Sequence, residues 1–373
     1  MTGVLAPHQS LRTLGRRALI AMGSAPEEAE IVADHLVDAN LSGHDSHGMG
    51  LLPMYVREWR AGYLQLNRRP TRVRDDGSIG IFDGGSGFGH VGAKQTTEWG
   101  LSRARELGVA VLSLRNAYHI ARVGTYAEQA CNAGLISILF VNVVAGGLQK
   151  VAPFGGSDGR LHTNPICIGI PAGDDTPPFL LDFATSRIAM GKVRVAHNEQ
   201  RRLPSGYLID QQGRPTGDPS VIFEEPYGAI VPFGEHKGSG LALACELLAG
   251  ALSGGPVNRT TAPRAGGLLN NLLGIFIDPQ RFVELPYFHE EITAVLAHVK
   301  ASPAATAGQE VMTAGEPERA SRRQRLAEGI PVDATSWAEI LAAAESAGVT
   351  NAASFVETRP LASSTSSLTK GGA

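Results

Sequence analysis

The chain reads as an α/β protein in which helical ends bracket a middle of short apolar strands. Three observations lead there. Apolar residues recur at helical spacing from about residue 5 to residue 62, and again over Tyr287 to Lys300 and Trp337 to Ala347. Between them, short apolar runs alternate with Gly and Pro punctuation. The 45 glycines among 373 residues suit a loop-rich, ligand-binding architecture better than a helical bundle. The two ends are therefore expected to pack as one discontinuous helical domain, residues 1–75 with 285–360, around a central α/β domain at 76–284. The small, polar residues 361–373 read as a disordered tail.

Ser24 with Glu27 predicts a capping box, after which Ile31, Val32, Leu36, Val37 and Leu41 continue a helical stripe until Gly43 stops it. Leu51, Leu52, Tyr55 and Trp59 form the next stripe, closed by Gly62. In the middle, Val109 to Leu114, Leu135 to Val141, Ile166 to Ile170, Phe179 to Phe183 and Gly274 to Ile277 are strand-like. A hydrophobic content of 43% with a net charge of -3 describes a soluble, cytoplasmic protein without the basic excess that nucleic acid attracts. No apolar run is long enough to span a bilayer. Cys131, Cys167 and Cys245 lie in apolar surroundings without metal-ligand spacing, so they read as reduced, buried side chains.

Between the first two stripes, GHDSHG places His44, Asp45, Ser46 and His47 on a helix-to-helix loop, a density of proton-handling groups that packing does not explain. A second motif, Gly87, Gly89 and Gly92 in GFGHVG, satisfies the GxGxxG of a Rossmann dinucleotide site and sits between a strand-like and a helical segment. The following strand ends in Arg115 and Asn116, not in the acidic residue that fingerprint requires. An arginine there would suit a 2'-phosphate; the glycines would equally serve tight backbone turns. A third site is predicted at His236, Lys237 and Gly238, which open an almost wholly apolar helix whose N–H groups and dipole suit a pyrophosphate.

DSHG stands in order with NAYHIARVGTYAEQA around His119, VAPFGGSDGRLHTNP around Asn164, LLDFATSRIAMG around Asp182, FGEHKGSG around Lys237, and AGEPE near residue 316. Taken together from about residue 10 to 345, these motifs resemble the type-2 malate/L-lactate dehydrogenase family of NAD(P)-dependent oxidoreductases. GHDSHGMGLLPMYVREW and GEHKG look most like its hydroxycarboxylate dehydrogenase B branch. The resemblance implies a non-Rossmann, mixed-sheet NAD(P)-binding domain joined to a helical domain, a homodimer, and an active site at the domain junction. It also implies hydride transfer between nicotinamide and a small 2-oxo or 2-hydroxy acid.

The same resemblance distributes the roles. His47 is the first choice for the acid that protonates the developing alkoxide, His119 its rival, and Asp182 the carboxylate that holds the histidine. Ser46, Tyr55, Arg122 and Lys150 would meet the substrate. The dinucleotide would lie against His47, Ala121 to Val123, Asn164, Leu181, Asp182, Phe183, Ala184, Thr185, Ser186, His236, Lys237, Asn270, Gly315 and Glu316. Glu316 taking the ribose hydroxyls would favour NAD, with NADP possible. Several family members carry an arginine four residues after the DSHG histidine; here Leu51 stands there, so Arg122, Arg57 or Lys150 must hold the substrate carboxylate. Two other classes stay open: a metal-dependent hydrolase using His44, Asp45 and His47, and a catalytically silent nucleotide-binding protein.

Overall fold

A computed structural model describes residues 3–146, 149–259 and 267–361. Two compact units emerge, Met1–Asn67 with Glu318–Ala373, and Arg68–Pro317. The tail predicted at 361–373 falls almost wholly outside the described residues.

In the first unit, α1 (His8–Met22), α2 (Pro26–Leu41), α3 (Leu52–Arg60) and α10 (Ala334–Ala347) pack around buried Leu11, Leu14, Leu36, Leu52 and Tyr55. Fully burying each such leucine contributes about 1.5–3 kcal/mol. Three short antiparallel strands, β1 (Val4–Ala6) between β12 (Ile330–Val332) and β13 (Arg359–Pro360), tie the chain ends together. The capping box does not form. Ala25 is the N-cap of α2 and makes no side-chain cap bond, while the Ser24 hydroxyl donates to Glu28 Oε1 at 2.7 Å. Pro26 at the first helical position explains the offset, since its fixed φ suits that site and its missing N–H costs nothing there.

The second unit is built on a seven-stranded mixed sheet. Its strands are β2 (Thr71–Asp76), β3 (Ile79–Asp83), β4 (Val109–Ala117), β5 (Ile136–Ala145), β6 (Ile166–Ile170), β7 (Phe179–Phe183) and β11 (Leu268–Ile277), in the order β2-β3-β4-β11-β5-β6-β7. Only β3 and β4 pair in parallel, joined by α4 (Gly89–Leu107). β11 lies antiparallel to both β4 and β5, which breaks any doubly wound parallel pattern. Leu112, Leu114, Leu139, Val141, Leu272 and Phe276 from the sheet share one core with Ala93 and Ala104 of α4 and Tyr126 and Ala127 of α5 (Gly124–Asn132). A smaller sheet, β8 (Leu208–Ile209), β9 (Pro215–Thr216) and β10 (Ala229–Ile230), accompanies α6 (Met190–Asn198). α7 (His236–Cys245) runs into a π-helical turn at Glu246–Ala251, and α8 (Leu285–Lys300) follows β11.

The expected boundaries at 75/76 and 284/285 move to 67/68 and 317/318. Residues 71–76 pair with β3 as an edge strand, and α8 is tied to the second unit through Thr293, whose hydroxyl bonds Thr176 at 2.8 Å. α9 (Glu316–Glu328), which the apolar pattern did not reveal, straddles the second boundary.

Candidate active site

His47 ends a 3-10 turn, Asp45–His47, that interrupts the passage from α2 to α3. The turn is closed by Gly48 N–H donating to the Asp45 carbonyl at 3.1 Å, and the Ser46 hydroxyl lies 3.3 Å from His47 Nδ1. Both oxygens of Asp45 are held by Arg325, at 2.6 and 3.0 Å, and Asn40 Nδ2 adds a bond to Oδ1 at 2.6 Å. Gly48 allows this packing, because a Cβ there would stand 2.2 Å from the Asn40 side chain. His44 Nε2 faces Glu318 at 3.3 Å. The metal reading thereby loses its carboxylate, since a divalent ion at Asp45 would meet a guanidinium. Among the described residues no group of three or more His, Cys, Asp or Glu side chains is placed to hold a metal. Tyr55, expected to touch substrate, is instead completely buried on α3.

In the second unit, His119 is half-buried on the loop from β4 to α5. Ile120 is pinned from both sides: its N–H donates to Asn270 Oδ1 at 3.0 Å and its carbonyl accepts from the Tyr126 hydroxyl at 2.7 Å. Ala121 takes φ 55°, a left-handed conformation costly to a residue with a Cβ. Gly89 packs beneath, where a Cβ would lie 2.1 Å from the Tyr118 carbonyl oxygen and 2.7 Å from that of His119. Gly89 of GFGHVG therefore serves close packing. The space a pyrophosphate would need at Gly89 is filled by the chain itself. Arg115, the residue considered for a 2'-phosphate, is paired with Asp83 at 2.9 Å.

Asp182 Oδ2 accepts from Gly124 N–H at 2.8 Å, at the positive end of α5. Arg122 beside it has no exposed side-chain surface; it bonds Glu128 at 2.9 Å and lies 4.0 Å from Asp182. Burial works against its charge, yet Glu128 and Asp182 hold its pKa above the usual arginine value. A guanidinium enclosed between two carboxylates is an internal counter-ion, which corrects the expectation that Arg122 grips substrate. Lys150 is likewise turned inward, donating to the Ile222 carbonyl at 2.8 Å with its ammonium 4.8 Å over the Tyr227 ring. Near Lys150 lies His162, buried and pushed down to about 4, which the sequence reading did not single out.

Several segments expected to hold the dinucleotide converge on β7, an edge strand. Leu180 N–H donates to the Ala314 carbonyl at 3.3 Å, which brings Ala314 to its start. At its exit, Phe233 N–H donates to the Thr185 carbonyl at 3.1 Å, Ser186 bridges to Pro232, and the Phe183 and Phe233 rings meet edge to face. The start of α7 therefore lies beside residues 183–186. Leu181, Phe183 and Ala184 are half-buried there, and Gly234 to Lys237 are exposed. The helix end differs from expectation: Lys237 and Gly238 N–H groups are spent on the Gly234 and Phe233 carbonyls, at 3.2 and 3.1 Å. What α7 presents outward is its dipole and the side chains of His236 and Lys237.

These segments, in this order on a mixed sheet, are a family's, and comparison with known proteins says which. Residues 6–341 match the malate/L-lactate dehydrogenase family. The chain belongs to that family. Hydroxycarboxylate dehydrogenase B of Escherichia coli K12 is 44% identical over 345 residues, 91% of this chain and 94% of the relative. An E. coli structure assigned as a malate/lactate dehydrogenase superposes with a TM-score of 0.89 at 42% identity, covering 94% of this chain and 98% of that one. Sulfolactate dehydrogenase from Methanocaldococcus jannaschii superposes at 0.82 with 32% identity, covering 93% and 98%. This is a family of hydroxyacid oxidoreductases.

Within this member of the family, four family-motif positions prove to be occupied internally. Asn164 accepts from Val143 N–H at 3.0 Å and donates to the Ala242 carbonyl and Glu246, at 3.0 and 2.9 Å. Asn270 donates to the Asn142 carbonyl at 3.2 Å besides holding Ile120. The Thr185 hydroxyl serves the Thr163 and Asn164 carbonyls, and that of Ser186 serves Ile188. Their side chains shape the site from behind. Glu316, expected to take the ribose hydroxyls, bonds Lys300 with one oxygen and Thr313 N–H with the other, at 3.0 Å, next to buried Gly315. The residues missed by sequence reasoning are those partners: Arg325, Glu246 and Tyr126. Nothing local in the sequence names what these side chains meet. Cys131, Cys167 and Cys245 are free and buried, with the thiols of Cys131 and Cys245 each pushed up to about 12 by burial. No described helix is long and apolar enough to cross a membrane.

Proposed function

We propose that the protein is an NAD(P)-dependent oxidoreductase that moves a hydride between nicotinamide and a small 2-oxo or 2-hydroxy acid, acting as a homodimer. The observation that carries this reading is the gathering on β7 of the 121–124, 183–186 and 232–237 segments, with Ala314 bonded to its start. The nicotinamide, when bound, supplies the hydride. Lys237, by its charge, and His236, by hydrogen bonding, would hold the pyrophosphate at the positive end of α7, and Leu181 and Phe183 would give the cofactor an apolar wall. His47, with Ser46 at Nδ1, delivers the proton to the carbonyl oxygen as it gains charge; His119 orients the substrate. Asp182 is held by Gly124 N–H at 2.8 Å, with Arg122 at 4.0 Å, as the carboxylate of the site. With Arg122 and Lys150 turned inward, Arg57, whose side chain is 68% exposed and 3.3 Å from Glu58 at one nitrogen, is the remaining candidate to meet the substrate carboxylate.

The test is absorbance at the nicotinamide band with NADH or NADPH and pyruvate, oxaloacetate, 2-oxoglutarate, phenylpyruvate or a cyclic imine, in the presence of a chelator. Turnover of one of them without added metal is expected. No turnover with either cofactor, or turnover only after metal is restored, overturns the reading.

A further inference from the structure

We propose that Arg325, through its two-pronged bond to Asp45, sets the position of the His47 imidazole, making α9 the positioning element of the proton-handling loop. Asp45 is the first residue of the turn that His47 ends, and its carbonyl closes that turn onto Gly48. Each Asp45 oxygen meets a different nitrogen of one guanidinium, at 2.6 and 3.0 Å. Such a fork fixes a carboxylate in direction as well as distance, which a single ammonium does not. Asn40 completes the frame, bonding Asp45 at one end of the loop and accepting from Met49 N–H at 2.8 Å at the other.

Arg325 does not act alone. Glu318, Ser321, Arg322 and Arg325 recur at the spacing that puts residues on one helical face. Glu318 faces His44, Ser321 donates to the Leu41 carbonyl, Arg322 donates to the Ser42 hydroxyl at 3.1 Å, and Arg325 takes the Asn40 carbonyl as well as Asp45. Four side chains of one helix thus meet one short loop. An isolated surface ion pair contributes little to stability, so the sense of this convergence lies in placement. A displacement of about 1 Å at a reacting group costs about 10²-fold in rate.

The catalytic consequence rests on His47 being the acid, and the experiment separates the two claims. Arg325→Met, Arg325→Lys, Asp45→Asn and His47→Ala are compared in the full chain. Arg325→Met is expected to lower kcat about 10- to 100-fold, with the KM for dinucleotide changing by less than about twofold. Lysine should recover only part of the loss. Arg325→Met with Asp45→Asn should be no worse than the more damaging single change, since both break one bond. In folded Arg325→Met, the NMR signal of the His47 ring carbon-bound proton should move. A His47 signal that stays in place overturns the proposal, whatever kcat does. If that signal moves while His47→Ala leaves turnover intact, the positioning role stands and the acid role falls. Should Arg325→Met not fold, Asp45→Asn and Arg325→Lys give the same readings.

Discussion

Residues 40–48 and residues 118–120 both present a histidine, and they hold it by opposite means. The first loop is fastened by charged side chains from residues 318–325, with Asp45 half exposed to water. The second is fastened by neutral groups: Asn270 and Tyr126 on either side of Ile120, with Gly89 packed against the carbonyls of Tyr118 and His119. Charge-assisted bonds in water are directional but screened by salt, whereas buried neutral bonds and close packing are insensitive to it. The difference teaches that the first loop is held in a geometry that solution conditions can tune. The second is part of the core.

The largest test of that contrast is chemical. His47→Ala should lower turnover by about 10² to 10⁴ fold while leaving dinucleotide affinity nearly intact, and His119→Ala should do less. Steady-state rates with the best 2-oxo acid check this, and a larger loss at His119 would exchange the two roles. Next comes the cofactor bed. Lys237→Ala should weaken NADH binding about 10- to 150-fold, read by nicotinamide fluorescence. Retained affinity would move the pyrophosphate away from α7.

Gly89→Ala addresses the packed loop. A methyl group 2.1 Å from a backbone carbonyl must displace it, so the midpoint of urea unfolding should fall by an amount equivalent to about 1–3 kcal/mol. An unchanged midpoint would mean that the close approach is not what holds His119. The smallest effect separates the two fastenings directly. Tyr126→Phe should cost about 0.5–1.5 kcal/mol equally at low and high ionic strength. The cost of Asp45→Asn should shrink as salt is added. Equal salt dependence in both variants would erase the distinction.

The sequence by itself determined the helical ends, the strand-like runs that became β4, β5, β6, β7 and β11, and the histidine-bearing loop, because hydrophobic period and glycine stops are local properties of the chain. It also carried the family, through motifs whose order does not depend on their contacts. Tertiary structure alone decided which polar residues are available. Arg122 and Glu316 looked like ligand contacts until Glu128, Asp182 and Lys300 were found beside them, and GFGHVG looked like a phosphate loop until Tyr118 was found against Gly89. Arg325 carried no signal of its own in the sequence; folding brings it to Asp45, 280 residues away. A side chain's chemistry is written in its type, but whether that chemistry is spent internally or left for a ligand depends on partners far away in the chain. Only folding brings those together.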